Sequence, residues 1–204
     1  MTAKIEFVQG SLTDGSELVL VNASNTQATL GSGVSGAIRR ACGPAFQGQV
    51  HELLQAKLHG PMAPGQVLIT HAGAHPRAKW VAHVAVMDYR RGMGPQSFPT
   101  LETITRGCEQ LWDALETVEG ADPLSVAMVA LGAGTGDLGV AEPTRIAAQT
   151  LKAHFAAVPT SRLERIRFYG YLDHELWPMA EALVKVFPEL RGQLPKELQR
   201  HIPA

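Results

Sequence analysis

The amino-acid sequence predicts an α/β domain in which one sheet lies between helices on both of its faces. Three observations carry this. Leu18-Val19-Leu20-Val21 and the stretch Ser125–Leu131 are nearly continuous apolar runs, as strands buried on both faces require. Such runs alternate along the chain with apolar residues at helical spacing, the pattern of a sheet covered by helices. Each of the two runs is followed by a glycine-rich segment and then by a helical stripe.

In chain order, Ile5–Val8 reads as a short strand and Gly10-Ser11-Leu12-Thr13-Asp14-Gly15 as turn chemistry. The strand Leu18–Val21 is expected to end at the polar Asn22-Ala23-Ser24-Asn25. Val34, Ala37, Ile38 and Ala41 mark a helix that Gly43-Pro44 stops. Phe46, Val50, Leu53, Leu54 and Leu58 mark a second helix or a continuation of the first. Gln66–Thr70 and Trp80–Met87 are strands, and Gly92-Met93-Gly94-Pro95 is a loop. Ile104, Cys108, Leu111, Trp112 and Leu115 form a helical stripe that ends by Gly120. After the strand Ser125–Leu131, Pro143 sets the start of a helix carrying Ile146, Thr150, Leu151 and Phe155. Ile166–Tyr169 is the last strand and Trp177–Phe187 the last long helix. The polar tail after Pro188 is interrupted by Pro195 and Pro203 and reads either as a short extra helix or as a loose end. No repeat or linker divides the chain, so residues 1–187 are expected to form one domain with 188–204 as a C-terminal extension.

Composition narrows the function. The net charge is -1 and the pI about 6.7, whereas a chain that tracks a phosphate backbone carries a broad basic surface. No nucleic-acid partner is therefore expected, although a pocket for one nucleotide is compatible. No run approaches a membrane span, and Met1–Glu6 lacks the apolar core of a signal peptide, so a cytoplasmic protein without membrane contact is expected. For the same reason the sequon Asn22-Ala23-Ser24 carries no weight. Cys42 and Cys108 lie in helical stripes and read as buried thiols. His71, His75 and His83 read as loop or core histidines, not metal ligands, because Gly73 and Pro76 break the spacing. Arg39-Arg40 reads as a solvated helix face, with steering of an anionic ligand as the alternative, and Asp88-Tyr89-Arg90-Arg91 as a candidate border of a pocket mouth. Neither a cofactor nor a metal is called for.

The informative segments are the two strand-to-helix junctions. One is Asn22-Ala23-Ser24-Asn25 followed by Gly31-Ser32-Gly33-Val34-Ser35-Gly36. The other is Gly132-Ala133-Gly134-Thr135-Gly136-Asp137-Leu138. Glycines there let backbone approach a ligand closely, and successive N–H groups can converge on an anion at the positive end of the following helix. Neither junction is a Walker A loop, since no Gly-Lys-Ser/Thr follows. The first spells the dinucleotide fingerprint but lacks its acidic ribose partner. Together they point to one diphosphate held between two loops.

The order of motifs along the chain resembles the macrodomain family, the ADP-ribose-binding fold, over roughly the first 187 residues. The resemblance rests on Phe7-Val8-Gln9-Gly10, Val21-Asn22-Ala23-Ser24-Asn25, Gly31–Ile38, Ala41-Cys42-Gly43-Pro44, Gly65–Thr70, Val81-Ala82-His83-Val84 and the second glycine loop. It implies a three-layer α/β/α sandwich with a mixed, roughly six-stranded sheet, and ADP-ribose or an ADP-ribosylated protein as partner. It further implies that Asn25 hydrogen-bonds the distal ribose, a task suited to a carboxamide with both donors and acceptors. Gly31, Ser32, Gly33 and Val34 match the first diphosphate loop, and Gly132, Ala133, Gly134, Thr135 and Gly136 the second. Asn22 is expected to brace the first loop, and Tyr171 or Tyr169 to offer a face to adenine.

Three departures qualify the match. Ser11 stands where many macrodomains carry an aspartate for the adenine amino group, which predicts weaker adenine selection unless Asp14 substitutes. Ser35 stands where one hydrolase class carries an aspartate that orients water, and serine is a poor general base at neutral pH. Asp137-Leu138 replaces an aromatic beside the distal ribose, and the Asp137 carboxylate is expected to face solvent, away from the diphosphate. The leading expectation is an ADP-ribose-binding module. The alternative is a mono-ADP-ribosyl hydrolase, with Asn25 and Ser35 at its centre and a water held against the α-phosphate attacking C1″. A reader of poly(A) or another nucleotide polymer ranks third, against the charge balance.

Overall fold

The computed structural model describes residues 3–120 and 123–202, without the side chains of Arg91 and His201; Pro203 lies outside the described residues. Six strands form one sheet: β1 (Lys4–Gln9), β2 (Val19–Asn25), β3 (Val67–His71), β4 (Trp80–Met87), β5 (Leu124–Met128) and β6 (Leu163–Gly170). Their order is β1-β6-β5-β2-β4-β3, all neighbours being parallel except the antiparallel edge pair β3 and β4. The mixed, six-stranded expectation is met.

Alternate residues of the strands feed two cores. Leu20, Val81, Ala85 and Leu68 pack with helices α1 (Gly33–Cys42) and α2 (Phe46–Leu58). Val19, Val21, Ala82, Val84 and Val86 pack with α3 (Leu101–Glu116), α4 (Ala141–Ala157) and α5 (Asp173–Val186). The largest buried side chain, Trp112 on α3, donates its indole N–H to Thr150 Oγ1 of α4 at 3.0 Å. A buried indole must find such a partner, and this one ties two helices of one layer together. The tail packs: a 3₁₀ turn (Pro188–Gln193) and α6 (Lys196–His201) place Leu190, Leu194 and Ile202 in the second of these cores.

Of the strand boundaries that differ from expectation, two shape the site. β2 continues through Asn22–Asn25 because Asn22 is satisfied inside the fold, opposite His83 in the parallel register with β4. β5 stops at Met128 although apolar residues run on to Leu131. Beyond Ala127 it has no β2 partner: the two strands pair only over Val19–Leu20 and Val126–Ala127. They then part, β2 towards β4 and β5 towards β6. The chain moves in opposite directions across the sheet after these two strands, and their carboxyl ends open into the crevice where ligands of open α/β sheets sit. Helix α5 also starts earlier than expected, at Asp173, since Glu175 caps it and Pro178 lies inside it.

Candidate functional site

A cavity of about 1390 Å³ opens in this crevice. Both glycine loops line it, through Gly31, Ser32, Gly33 and Val34 on one side and Gly132–Gly136 on the other. In the first loop Gly33 holds a left-handed φ of 56°, and a side chain on Gly36 would meet the Gly31 carbonyl at 2.8 Å. In the second, Gly132 has φ 79°, and a Cβ on Gly136 would stand 2.5 Å from the Gly132 carbonyl. Gly31 and Gly134 have open space before them, which is where backbone can approach a ligand.

One end of the cavity is built on β2. Asn25 lines it, but its amide is engaged with its own loop. Oδ1 accepts the N–H groups of Gln27 and Thr29 at 3.0 and 3.2 Å, and Nδ2 donates to the Thr29 carbonyl at 2.8 Å. The second Nδ2 hydrogen is the donor left for a ligand. Ser35, 8% exposed, lines the wall from α1. Its hydroxyl lies 2.7 Å from Asn22 Oδ1 and 3.1 Å from the Ala23 carbonyl. Asn22 itself does not reach the cavity. It is fully buried and braces the first loop from beneath, with Nδ2 3.0 Å from His83 Nδ1. Tyr89 and Met93 border this cavity as well, and Met93 is 82% exposed. Asp88 stands back from it. Its carboxylate binds Arg90 and accepts from Thr26, and the Arg90 contact holds its pKa down to about 2.

The other end carries Ser11, the 3₁₀ turn Leu12–Asp14, Tyr169, Tyr171 and Glu175. Ser11 Oγ caps the turn, accepting from the Thr13 N–H, and lies 2.8 Å from Thr13 Oγ1. Asp14 is exposed at the lining, while its backbone carbonyl accepts from Arg77. Both tyrosines line the cavity, in different ways. Tyr171 is 68% exposed at the rim, and the Glu175 carboxylate fixes its backbone by accepting the N–H groups of Tyr171 and Leu172. Tyr169 is buried, and its hydroxyl donates to Glu17 at 2.9 Å. Glu17 is itself fully buried and paired with Arg167, which also holds Glu6. Burial and the Glu17 carboxylate push the Tyr169 phenol up to about 12.

Two of the remaining expected residues lie outside the lining. Asp137 adopts φ 57° and is exposed, and Leu138 packs against the core. Arg40, expected to face solvent, is exposed but lines the cavity, with its guanidinium beside Gly36. The histidines divide. His71 lies tilted against the Trp80 ring, His75 binds the Thr13 carbonyl, and His83 is wholly buried. No group of three metal-ligating side chains occurs among the described residues, and no helix among them is long and apolar enough to cross a membrane. Glu175 as a clamp on Tyr171 escaped the sequence reading, although a glutamate three residues after a non-helical position is a recognisable capping signal. The Asn22–His83 pairing had no sequence signal, because register between distant strands decides it.

The model of the Macro domain family matches residues 21–147. The chain belongs to that family. This macrodomain is 30% identical to an O-acetyl-ADP-ribose deacetylase of Cronobacter sakazakii over 94% of its own length and 99% of the relative's. It is 33% identical to an O-acetyl-ADP-ribose deacetylase of Salmonella newport over 74% of its length and 79% of that protein's. Among solved structures it superposes on an Oceanobacillus iheyensis macrodomain mutant with ADPR at a TM-score of 0.74 and 19% identity, covering 90% and 94% of the two chains. A Trypanosoma brucei macrodomain in complex with ADP-ribose gives 0.69 at 22% identity, covering 86% of this macrodomain and 67% of that chain. These structural likenesses bear on the fold, and they agree with the α/β/α layering of this macrodomain.

Proposed function

We propose that this macrodomain binds ADP-ribose, free or attached to a protein, with its diphosphate between the two glycine loops. The observation that supports this most is the opening of both loops onto one crevice at the parting of β2 and β5. In this reading Gly31–Val34 and Gly132–Gly136 offer backbone N–H groups to the diphosphate. Asn25 donates its free amide hydrogen to the distal ribose, and Tyr171 stacks on adenine while Ser11 accepts from the base edge. Residues 188–204 are taken as an extension of the 1–187 domain, and the protein as cytoplasmic. Calorimetric titration with ADP-ribose, ADP, AMP and NAD tests the assignment: ADP-ribose is expected to bind most tightly. Equal affinity for AMP would remove the basis for a distal-ribose pocket.

A second reading, hydrolysis of an ester or mono-ADP-ribosyl linkage, is favoured by the deacetylase names of the relatives. Against a base-driven mechanism, the carboxylates lining the cavity among the described residues are Asp14 and Glu175, both at the Tyr171 end. Ser35 offers a hydroxyl, so attack would rely on water activated by the ligand's own phosphate. Incubating O-acetyl-ADP-ribose or a glutamate-linked ADP-ribosyl protein with stoichiometric enzyme decides between the two. Intact substrate, with ADP-ribose still bound, leaves the module as a reader.

A further inference from the structure

His83 is a buried titratable group to which the proposed binding scheme gives no role. It is fully buried in β4, it faces α1 and α2, and Phe46 stacks near it at 6.0 Å. Both ring nitrogens are engaged, Nδ1 with Asn22 Nδ2 at 3.0 Å and Nε2 with Thr70 Oγ1 at 3.1 Å. The first contact decides the tautomer: an amide NH2 donates, so Nδ1 accepts and the proton sits on Nε2, donated to Thr70. Burial keeps the ring neutral, pushing its pKa down to about 3. With Nδ2 turned to His83, Asn22 Oδ1 faces Ser35 and takes the hydroxyl proton at 2.7 Å. The Ala23 carbonyl at 3.1 Å is the other inward acceptor for that proton. A serine has one proton, so the lone pairs of Oγ are what remain for the cavity that Ser35 lines.

We propose that His83 is a positioning residue for the ribose end of the site: through Asn22 it fixes Ser35 Oγ as a hydrogen-bond acceptor, which selects a terminal ribose by one of its hydroxyl protons. This rests on the ADP-ribose reading and assigns the specificity of that same pocket. The effect is confined to ligands with a second ribose, so ADP serves as the internal control.

Calorimetry with ADP-ribose and ADP on the folded variants tests it. Ser35→Ala and His83→Phe are each expected to weaken ADP-ribose about tenfold, the worth of one hydrogen bond in a dry site, while leaving ADP within about twofold. In the Ser35→Ala background His83→Phe should add nothing, whereas with Ser35 in place His83→Gln, which can bond both neighbours, should retain most of the wild-type affinity. Equal losses for ADP and ADP-ribose, or additive losses in the double variant, would overturn the proposal. If His83→Phe does not fold, nitrogen NMR of the wild-type imidazole decides: a neutral Nε2–H ring is expected, and an Nδ1–H or doubly protonated ring refutes the relay. A wild-type chain that binds ADP but gains nothing from the second ribose also refutes it. Failure to bind either ligand sinks the ADP-ribose reading itself.

Discussion

Gly134→Glu is the substitution that separates folding from binding most cleanly. Gly134 is exposed, has open space where a Cβ would stand, and does not use a left-handed backbone, so glutamate fits without strain. Its carboxylate would enter the cavity beside the place proposed for the diphosphate. One negative charge about 5 Å from a ligand charge of about -2 is repelled by about 1.7 kcal/mol at the dielectric constant of water and about 6.6 kcal/mol at an effective value of 20. The exposed loop puts the effect near the lower figure, about 2 kcal/mol, or roughly thirtyfold in Kd. Calorimetry at low salt, with thermal unfolding on the same samples, measures both quantities. The expected result is weakened ADP-ribose binding at an unchanged Tm. A Kd within about threefold of wild type, with the fold intact, would mean that the second loop does not face the phosphates.

Gly136→Ala should behave in the opposite way, since its Cβ meets the Gly132 carbonyl at 2.5 Å and Pro99 at 2.9 Å. A loss of roughly 2 kcal/mol in chemical denaturation is expected, and full stability would contradict the tight packing of that turn. Glu17→Gln leaves Arg167 and Tyr169 without their buried carboxylate, and about 3 kcal/mol of destabilisation is expected from urea melts. The pH dependence has a definite sign. His83 in the unfolded chain takes up a proton below about 6.5, whereas the folded ring stays neutral down to about 3, so the unfolded state binds more protons between these values. Stability should therefore fall on acidification through that window by up to roughly 1.4 kcal/mol per pH unit from this group, and His83→Gln should flatten the slope. The Glu6, Asp88 and Glu116 carboxylates, held low by their partners, keep their contributions above the usual carboxylate range and lose them as pH falls through their lowered folded values.

Much of this was legible in the amino-acid sequence, for identifiable reasons. Trp80–Met87 was legible as a strand because it is apolar almost throughout, and Phe46–Leu58 as a helix because its apolar residues recur at helical spacing. The glycine loops stand out because at Gly33, Gly36, Gly132 and Gly136 a side chain would strain the backbone or run into it. What escaped depended on pairing between distant residues. Apolarity continues past Met128, but β5 ends there because β2 has turned away to β4. Asn22 looks like the start of a loop and is instead a strand residue, since only the register with β4 brings His83 opposite it. Glu17 sits in an unremarkable turn, and its burial follows from an arginine 150 residues further along.

The chain's last segment bears on how the protein is handled. Leu190, Leu194 and Ile202 sit among the side chains that α5 and the sheet leave apolar on that side. Trimming at Phe187, where the composition turns polar, would bare a greasy surface and invite self-association.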